Sequence, residues 1–226
     1  MTNYRLSAGT DVAEMALFDT EAIPQSRPLN EKGLDDLETS KHLIRLPTGA
    51  DGGYLLHLYV DESPPEKVME YCLTEDKLTG KFSSLNGRVA FGGVESTFRE
   101  FTPNPLIRDD VVIPEGNYAF TAYRTDIPDE VVNQAIQVAS TSRERWLDRA
   151  PLMVTLITLG IAIVFAAFKN FLAGGLVLVL GHVSFKLVKR LPDQGALAAR
   201  RDKAQEDFPS IVIELRANIA VDRDRE

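Results

Sequence analysis

A chain of 226 residues, of which 44% are hydrophobic, has room for one folded domain of roughly 150 residues and one further segment. Its formal net charge of −8 is uneven, because residues 1–142 hold 12 Lys/Arg and 23 Asp/Glu, net −11, whereas residues 143–226 hold 13 and 10, net +3. This balance argues against a nucleic-acid partner, since the acidic part has no basic stripe to neutralise phosphates.

The first 127 residues predict a β-sandwich, because short alternating segments are separated by Gly and Pro. We expect strands in six segments: 11–19, 42–47, 54–60, 68–75, 88–93 and 110–124, the last divided by a turn at Pro114 to Gly116. Asn86 and Gly87 suit a tight turn. The segments 20–40 and 94–108 are predicted as loops, the first with at most one helical turn. The N-terminus has no apolar core of a signal peptide.

An amphipathic helix is predicted over 128–150, leading toward the next segment. Pro128 suits a first helical position, and Val131, Val132, Ala135, Ile136 and Ala139 lie on one side. Trp146 suits the headgroup zone of a bilayer.

The segment 151–190 holds two apolar runs, 151–168 and 171–188, with only Lys169 and Asn170 between them. Each run makes a helix of about 27 Å, close to the thickness of a bilayer core. We therefore predict a two-helix transmembrane hairpin. The alternative is a buried hairpin in a core, but the first run offers only Thr155 and Thr158 as polar side chains.

Basic residues flank this hairpin on both sides and predict its orientation. Those before it are Arg143, Arg145 and Arg149, and those after it are Lys186, Lys189, Arg190, Arg200, Arg201 and Lys203. The positive-inside rule places both termini in the cytoplasm. Small residues (Ala162, Ala166, Gly174 and Gly181) permit close approach of the two helices. His182 is either a proton-sensing or pore residue or a histidine hydrogen-bonded to the neighbouring helix.

The C-terminal segment 191–226 predicts a polar helix followed by a strand. Ile211, Ile213 and Leu215 alternate with Val212 and Glu214, so the strand has one apolar face. An isolated strand leaves that face and its backbone unsatisfied. We therefore predict that it returns to complete the sandwich, so that the fold is mainly β with the hairpin inserted before the last strand.

The sequence predicts no catalytic, cofactor-binding or metal-binding residues. The histidines, His42, His57 and His182, are scattered, and the single cysteine, Cys72, lies in an apolar segment typical of a packed core. One cysteine excludes an internal disulfide and indicates a reducing compartment. The GADGG segment lacks the lysine and helix of a phosphate loop. Asp109 and Asp110 are interpreted as solvated acids, so we expect a protein that is not an enzyme.

Five segments carry a resemblance to known proteins: TDVAEMALFD at 10–19, GADGGYLLHL at 49–58, NGRVAFGG at 86–93, IPEGNYAFTAYR at 113–124 and FPSIVIELR at 208–216. Together they resemble small bacterial all-β domains encoded near secreted toxins, a group that includes immunity proteins. The resemblance implies a protein that binds and neutralises a cognate toxin, anchored here in the bacterial inner membrane by its hairpin. The alternative is an anchored scaffold or sensor that recruits a cytoplasmic protein. The expected partners are a protein and the lipid bilayer, and an oligomer is possible.

Overall fold

The computed structural model describes residues 3–101, 104, 106–139, 142–169, 171–189 and 203–217. Its strands are β1 (Asn3–Thr10), β2 (Glu14–Asp19), β3 (Leu43–Pro47), β4 (Gly52–Val60), β5 (Leu78–Ser84), β6 (Arg88–Gly93), β7 (Arg108–Val112), β8 (Gly116–Arg124) and β9 (Ile211–Ala217). Its helices include α1 (Glu31–Thr39), α2 (Glu66–Met69), α3 (Asp129–Ala139), α4 (Ser142–Ala167) and α5 (Phe171–Lys189), with a 3₁₀ turn at Val94–Ser96.

The chain divides into two compact units. The two-sheet unit holds residues 1–127 and 208–226, and the helical unit holds residues 128–207. In the two-sheet unit, the first sheet has the order β1-β4-β9-β8-β5 and the second has the order β3-β2-β6-β7.

Strand β9 occupies the centre of the first sheet although it comes last in the sequence. It runs parallel to β4 and antiparallel to β8, with Ile213 opposite Leu58 on one side and Ala122 on the other. Ile211, Ile213 and Leu215 are buried. The alternation in the sequence therefore corresponds to a strand with one face in the core.

The main core lies between the two sheets. The first sheet contributes Leu6, Leu56, Phe82, Tyr118 and Ile213, and the second contributes Met15, Leu17, Ile44, Val89 and Phe91. Burying each large apolar side chain contributes about 1.5–3 kcal/mol. This core holds the sheet edges in the positions from which the candidate site is built.

Helix α1 covers the outer face of the second sheet. Leu34 packs in a second cluster with Phe18, and Asn30 caps the helix by accepting a hydrogen bond from the Gly33 backbone at 2.9 Å. Arg45 on β3 pairs with Glu14 at 2.6 Å and with two acids of α1, and the hydrogen bond to Glu14 raises the pKa of its guanidinium. The prediction of a loop with at most one helical turn over 20–40 is therefore wrong.

The segment predicted as a strand over 68–75 is also different in the structure. Helix α2 takes up Glu66–Met69, and Cys72 makes only an isolated bridge to Thr125. Pro65 ends the preceding extended segment, and Glu66 supplies an acid in the first helical turn. These start signals outweigh the alternation of VMEYCLTE.

The fold class predicted from the sequence, mainly β with a membrane hairpin, is wrong. The structure is a mixed α/β fold that contains two sheets and several helices. Among the residues it describes, no helix is long and apolar enough to cross a membrane. The predicted spans over 151–168 and 171–188 are thereby contradicted, and so is the placement in a bacterial inner membrane with both termini cytoplasmic.

The physical reason lies in the lengths of the apolar runs. A membrane span needs about 20 consecutive apolar residues. The apolar part of α4 begins only at Pro151, after a charged first third, and extends for about 25 Å. In α5 the run from Phe171 is interrupted by His182 after about 16 Å, and Lys186 follows one turn later.

Helices α4 and α5 pack closely against each other in the helical unit. Gly174 lies against the Ala162 backbone, and a Cβ at Gly181 would overlap the side chain of Thr158. The Thr155 hydroxyl donates to the Pro151 carbonyl at 2.9 Å, so its polar group is satisfied within its own helix. Other predictions for this part lie outside the described residues: those on the 190–202 segment, and those on the side chains of Arg143, Arg145, Trp146, Arg149, Ala166 and Lys189.

Candidate protein-binding cleft

Two strand edges approach each other at one corner of the two-sheet unit. Strand β5 is an edge strand of the first sheet, and β3 is an edge strand of the second. The Ser83 backbone N–H donates to the Lys41 carbonyl at 2.6 Å, so Ser83 points away from β8 toward the second sheet. Because backbone groups alternate in direction along an antiparallel strand, Thr79 and Lys81 also direct their N–H groups away from β8. Within the described part of the chain, no hydrogen bond joins either N–H group to another strand.

A cleft of about 410 Å³ opens beside these edges, and we call it the corner cleft. Three separate parts of the sequence line it: Leu46, Pro47 and Gly49 after β3, Glu75, Asp76, Lys77 and Leu78 before and in β5, and Ala122, Tyr123 and Arg124 at the end of β8. Its volume lies in the range of ligand pockets, roughly 300–1,000 Å³. Leu78 is 40% exposed and provides an apolar surface at its mouth.

Charged side chains fix the position of the loop that forms one wall of the corner cleft. The Arg124 guanidinium donates through Nε to Asp76 at 2.8 Å, and its Nη1 donates to the Thr48 carbonyl at 3.3 Å. The Lys77 ammonium lies 5.9 Å from the centre of the Tyr123 ring. The cleft therefore combines an apolar floor with a rim of both charges, as protein-binding surfaces do.

The glycine-rich turn after β3 forms one wall of the same cleft. Gly49 has φ +73°, a left-handed conformation that favours glycine, and the Tyr54 hydroxyl donates to the Ala50 carbonyl at 2.6 Å. The GADGG segment is thus a turn between two strands.

His42 lies beside a backbone carbonyl and a buried carboxylate. Its Nδ1 lies 2.9 Å from the Ser83 carbonyl and 3.8 Å from Asp19. Asp19 is fully buried and accepts hydrogen bonds from the Glu21 and Leu85 backbones. The Asp19 carboxylate therefore stabilises the turn that follows β2 and the turn that follows β5.

His57 is buried, with 5% of its surface exposed. Its Nδ1 is 3.3 Å from the Tyr59 hydroxyl, and the two rings meet edge to face. Burial raises the pKa of that Tyr59 hydroxyl. His182 is exposed on α5 in the helical unit.

Cys72 packs against Tyr59 and Val212, and burial raises the pKa of its thiol to about 11. The reactive form is the thiolate, whose fraction at pH 8 is then on the order of one in a thousand. We expect iodoacetamide to modify native Cys72 at pH 8 at least about 100-fold more slowly than the unfolded chain. Mass spectrometry with and without denaturant measures this, and equal rates would contradict the packed position.

Asp109 and Asp110, interpreted from the sequence as solvated acids, both have partners. Asp109 accepts a hydrogen bond from the Ser7 backbone at 3.3 Å. Asp110 binds both Nε and Nη2 of Arg108, at 2.6 and 3.0 Å. Arg108 is 2% exposed, and its Nη1 donates to the carbonyls of Ser96 and Phe98.

A second cavity of about 460 Å³ lies beside this arginine. It is lined by Thr20, Glu21, Arg88, Arg99, Arg108, Asp110, Val111 and Val112. Arg99 pairs with Glu21 at 3.2 Å and donates to the Ile23 carbonyl. Since Arg99 and Arg108 are bound to protein acceptors, we interpret this cavity as structural. Among the described residues, no group of three or more His, Cys, Asp or Glu side chains is arranged to hold a metal ion.

No protein-family model and no curated protein matches this sequence. Among solved structures, the fold is similar to the product of crocagin biosynthetic gene J, with a TM-score of 0.39 and 12% identity over 55% of this chain and 79% of that one. It is also similar to ComJ from Bacillus subtilis, an inhibitor of the DNA-degrading activity of NucA, with a TM-score of 0.35 and 12% identity over 57% of this chain and 87% of that one. At these scores, neither likeness carries an argument about function.

Proposed function

We propose that the two-sheet unit is a protein-binding domain of the immunity type, which neutralises a toxin by binding it at the corner cleft. The observation that carries this proposal is the corner cleft itself. It joins an apolar floor, a mixed charged rim and a strand edge with outward backbone donors at one place on the surface.

The composition of the cleft supports binding to a protein. Arg124 and Asp76 neutralise each other, so the rim has no single dominant charge that would select a small ion. The exposed side chain of Leu78 lies next to the backbone N–H of Thr79, which gives a partner both apolar contact and a hydrogen-bond donor. A partner segment in extended conformation uses both kinds of contact when it adds to a sheet edge.

Two of the five segments that resemble immunity-type domains line this cleft. The GADGG turn contributes Gly49, and the IPEGNYAFTAYR segment contributes Ala122, Tyr123 and Arg124. The acidic two-sheet unit also favours a basic partner, because complementary charge accelerates association.

The proposal is tested by Leu78→Glu, which places a carboxylate at the mouth of the corner cleft. We expect this variant to lose at least 10-fold in affinity for the toxin encoded beside its gene, and to fail to restore growth when the two are co-expressed. The matched control is Leu85→Glu, at an exposed position (57%) in the turn after β5. Growth should be restored by the control as by the unchanged chain.

Three results would count against the proposal. Restored growth with Leu78→Glu at full strength would remove the corner cleft as the binding surface. Survival of a gene deletion in the presence of an intact toxin gene would remove the protective role. A protein that binds the cleft without being a toxin would indicate the scaffold function instead.

A further inference from the structure

The open edge of β5 presents both backbone donors and backbone acceptors. In an antiparallel strand the N–H and C=O groups of one residue point in the same direction. At Ser83 both groups reach the second sheet, since the N–H donates to the Lys41 carbonyl at 2.6 Å and the carbonyl lies 2.9 Å from Nδ1 of His42. Thr79 and Lys81 direct the same two groups away from β8, and no hydrogen bond occupies them within the part of the chain that the structure describes. These two residues therefore offer a row of groups to which another strand can bind.

The opposite edge of the same sheet is already covered. Along β1, the Gly9 N–H donates to the Ile107 carbonyl at 3.4 Å, and the Ser7 N–H donates to a carboxylate oxygen of Asp109 at 3.3 Å. A Cβ at Gly9 would lie 2.6 Å from the Leu106 carbonyl oxygen, so the covering segment leaves no room for a further strand. Of the two edge strands of the first sheet, β5 is therefore the one that can accept a partner.

The corner cleft continues the inner, apolar face of the first sheet beyond β5. Leu78 lies opposite Ala122, which is buried in the main core, so both side chains point to the inner face. Leu78 is nevertheless 40% exposed, because the cleft opens between it and Leu46 of the second sheet. Gly80 has no side chain, and the Phe120 ring fills its position, since a Cβ there would lie 2.7 Å from that ring. A strand added to β5 would direct every second side chain onto this apolar surface.

The charge around the cleft favours a basic segment. The two-sheet unit holds 15 Lys/Arg and 25 Asp/Glu, net −10. At the rim, Asp76 is paired with Arg124 at 2.8 Å, and the Lys77 ammonium lies over an aromatic ring. Glu75 also lines the cleft, is exposed, and forms no ion pair with any described residue. A cation on the incoming segment can therefore pair with Glu75 and is attracted by the whole unit.

We propose that the corner cleft binds an extended, basic segment of its partner, which adds to β5 as a further strand and inserts two apolar side chains, at positions i and i+2, into the cleft. This inference rests on the proposed function, because it specifies what the toxin presents to the cleft. Hydrogen bonds to the backbones of Thr79 and Lys81 supply affinity, and the apolar surface selects the side chains at alternate positions. Since the recognised element is linear, a short peptide with this pattern binds by itself.

A phage-displayed library of short linear peptides of random sequence, selected on the full chain, tests the proposal without the toxin. Peptides that bind the unchanged chain but not Leu78→Glu should be enriched in Lys and Arg. They should also carry two large apolar residues separated by one residue. Enrichment of acidic peptides, enrichment of peptides without this alternation, or no enrichment at all would overturn the proposal.

Thr79→Pro tests the added strand itself, because proline removes the outward N–H and is tolerated on an edge strand. The matched control is Val112→Pro on β7, an edge strand of the second sheet. The Ile113 N–H donates to the Gly87 carbonyl across to β6, so the Val112 N–H points away from that strand. Fluorescence anisotropy of the most enriched peptide should show an affinity at least about 10-fold lower for Thr79→Pro, and within about twofold of the unchanged chain for Val112→Pro. Equal affinities of the two variants would overturn the added strand.

A second measurement leaves the chain unchanged, so that a folding defect cannot explain the result. The backbone nitrogen of the enriched peptide is methylated at one residue at a time, which removes one N–H donor in each peptide. Because only every second residue of an added strand directs its N–H toward β5, affinity should fall at alternate positions only. An equal effect at every position, or no effect at any, would contradict strand addition.

The toxin itself separates this inference from the proposed function. A toxin that binds Thr79→Pro as tightly as the unchanged chain, but no longer binds Leu78→Glu, would overturn strand addition and leave the corner cleft as the binding surface. A toxin that binds Leu78→Glu as tightly as the unchanged chain would overturn both. Loss of binding in both variants, with binding retained by Val112→Pro, is the result that the inference predicts.

Discussion

A chain that ends after Asp207 should fail to fold, because it lacks β9. Without this strand, β4 and β8 lose their common neighbour and the first sheet is divided in two. The truncation also removes the buried side chains of Ile211, Val212, Ile213 and Leu215. Their burial contributes on the order of 8 kcal/mol, which is comparable with the whole stability of a domain, about 5–15 kcal/mol. Circular dichroism should show no cooperative thermal transition for the two-sheet unit.

A graded variant and a matched control make this expectation quantitative in the full chain. Ile213→Ala at the centre of β9 should lower the free energy of unfolding by about 3 kcal/mol. Val112→Ala, which shortens a 66% exposed side chain on the edge strand β7, should change it by less than about 0.5 kcal/mol. A cooperative transition at an unchanged temperature in the truncated chain would show that β9 is not needed by the sheets.

Arg108→Ala should lower the free energy of unfolding by about 2–3 kcal/mol. The substitution leaves Asp110 without its paired guanidinium and the carbonyls of Ser96 and Phe98 without their donor. It also removes the cation that lies 5.2 Å from the Phe18 ring and 5.6 Å from the Phe101 ring. The buried Ser96 carbonyl is left without its donor, which costs about 1–3 kcal/mol, and the lost ion pair adds less because the Asp110 side chain is 36% exposed. Urea denaturation measures the change.

Arg88→Ala is the matched control for this variant, because Arg88 lines the same cavity but is exposed. Its effect should be within about 0.5 kcal/mol. Equal effects of the two substitutions would contradict the structural role assigned to Arg108.

The strands with strong alternation were predictable from the sequence. Leu56, Leu58 and Val60 on β4 share the core face of their strand, as the period of two indicates. The tight turn at Asn86 and Gly87 is confirmed, since Gly87 has φ +79° and a Cβ there would overlap the Ile113 carbonyl. These features depend on neighbours in sequence, which is why the pattern identifies them.

The missed elements have weaker local signals. In β5, most side chains from Leu78 to Lys81 are polar or exposed, because an edge strand buries little beyond Phe82. Helix α1 has a capping residue, Asn30, and an apolar pair at Leu34 and Leu37, but both signals lie in a segment rich in Pro and Gly. The signals for the start of helix α1 were therefore present, but the Pro and Gly residues around them favoured the prediction of a loop.

The corner cleft was beyond sequence analysis because its walls come from three distant segments. Leu46, Leu78 and Ala122 meet only once β3, β5 and β8 have paired with their own neighbours. The Arg108 cluster was missed for the same reason, since the ring of Phe18 lies far from Arg108 in the sequence. The pattern of residue types along one segment does not indicate which distant segments it will contact in the fold.

Hydrogen–deuterium exchange of the chain, alone and with the proposed toxin partner, tests the central claim most directly. Because the corner cleft is proposed as the binding surface, the toxin should slow exchange at 78–81 and in the turn around Gly49, and leave β6 and β7 unchanged. Slower exchange confined to β6, β7 or α1, with none at the cleft, would contradict the account.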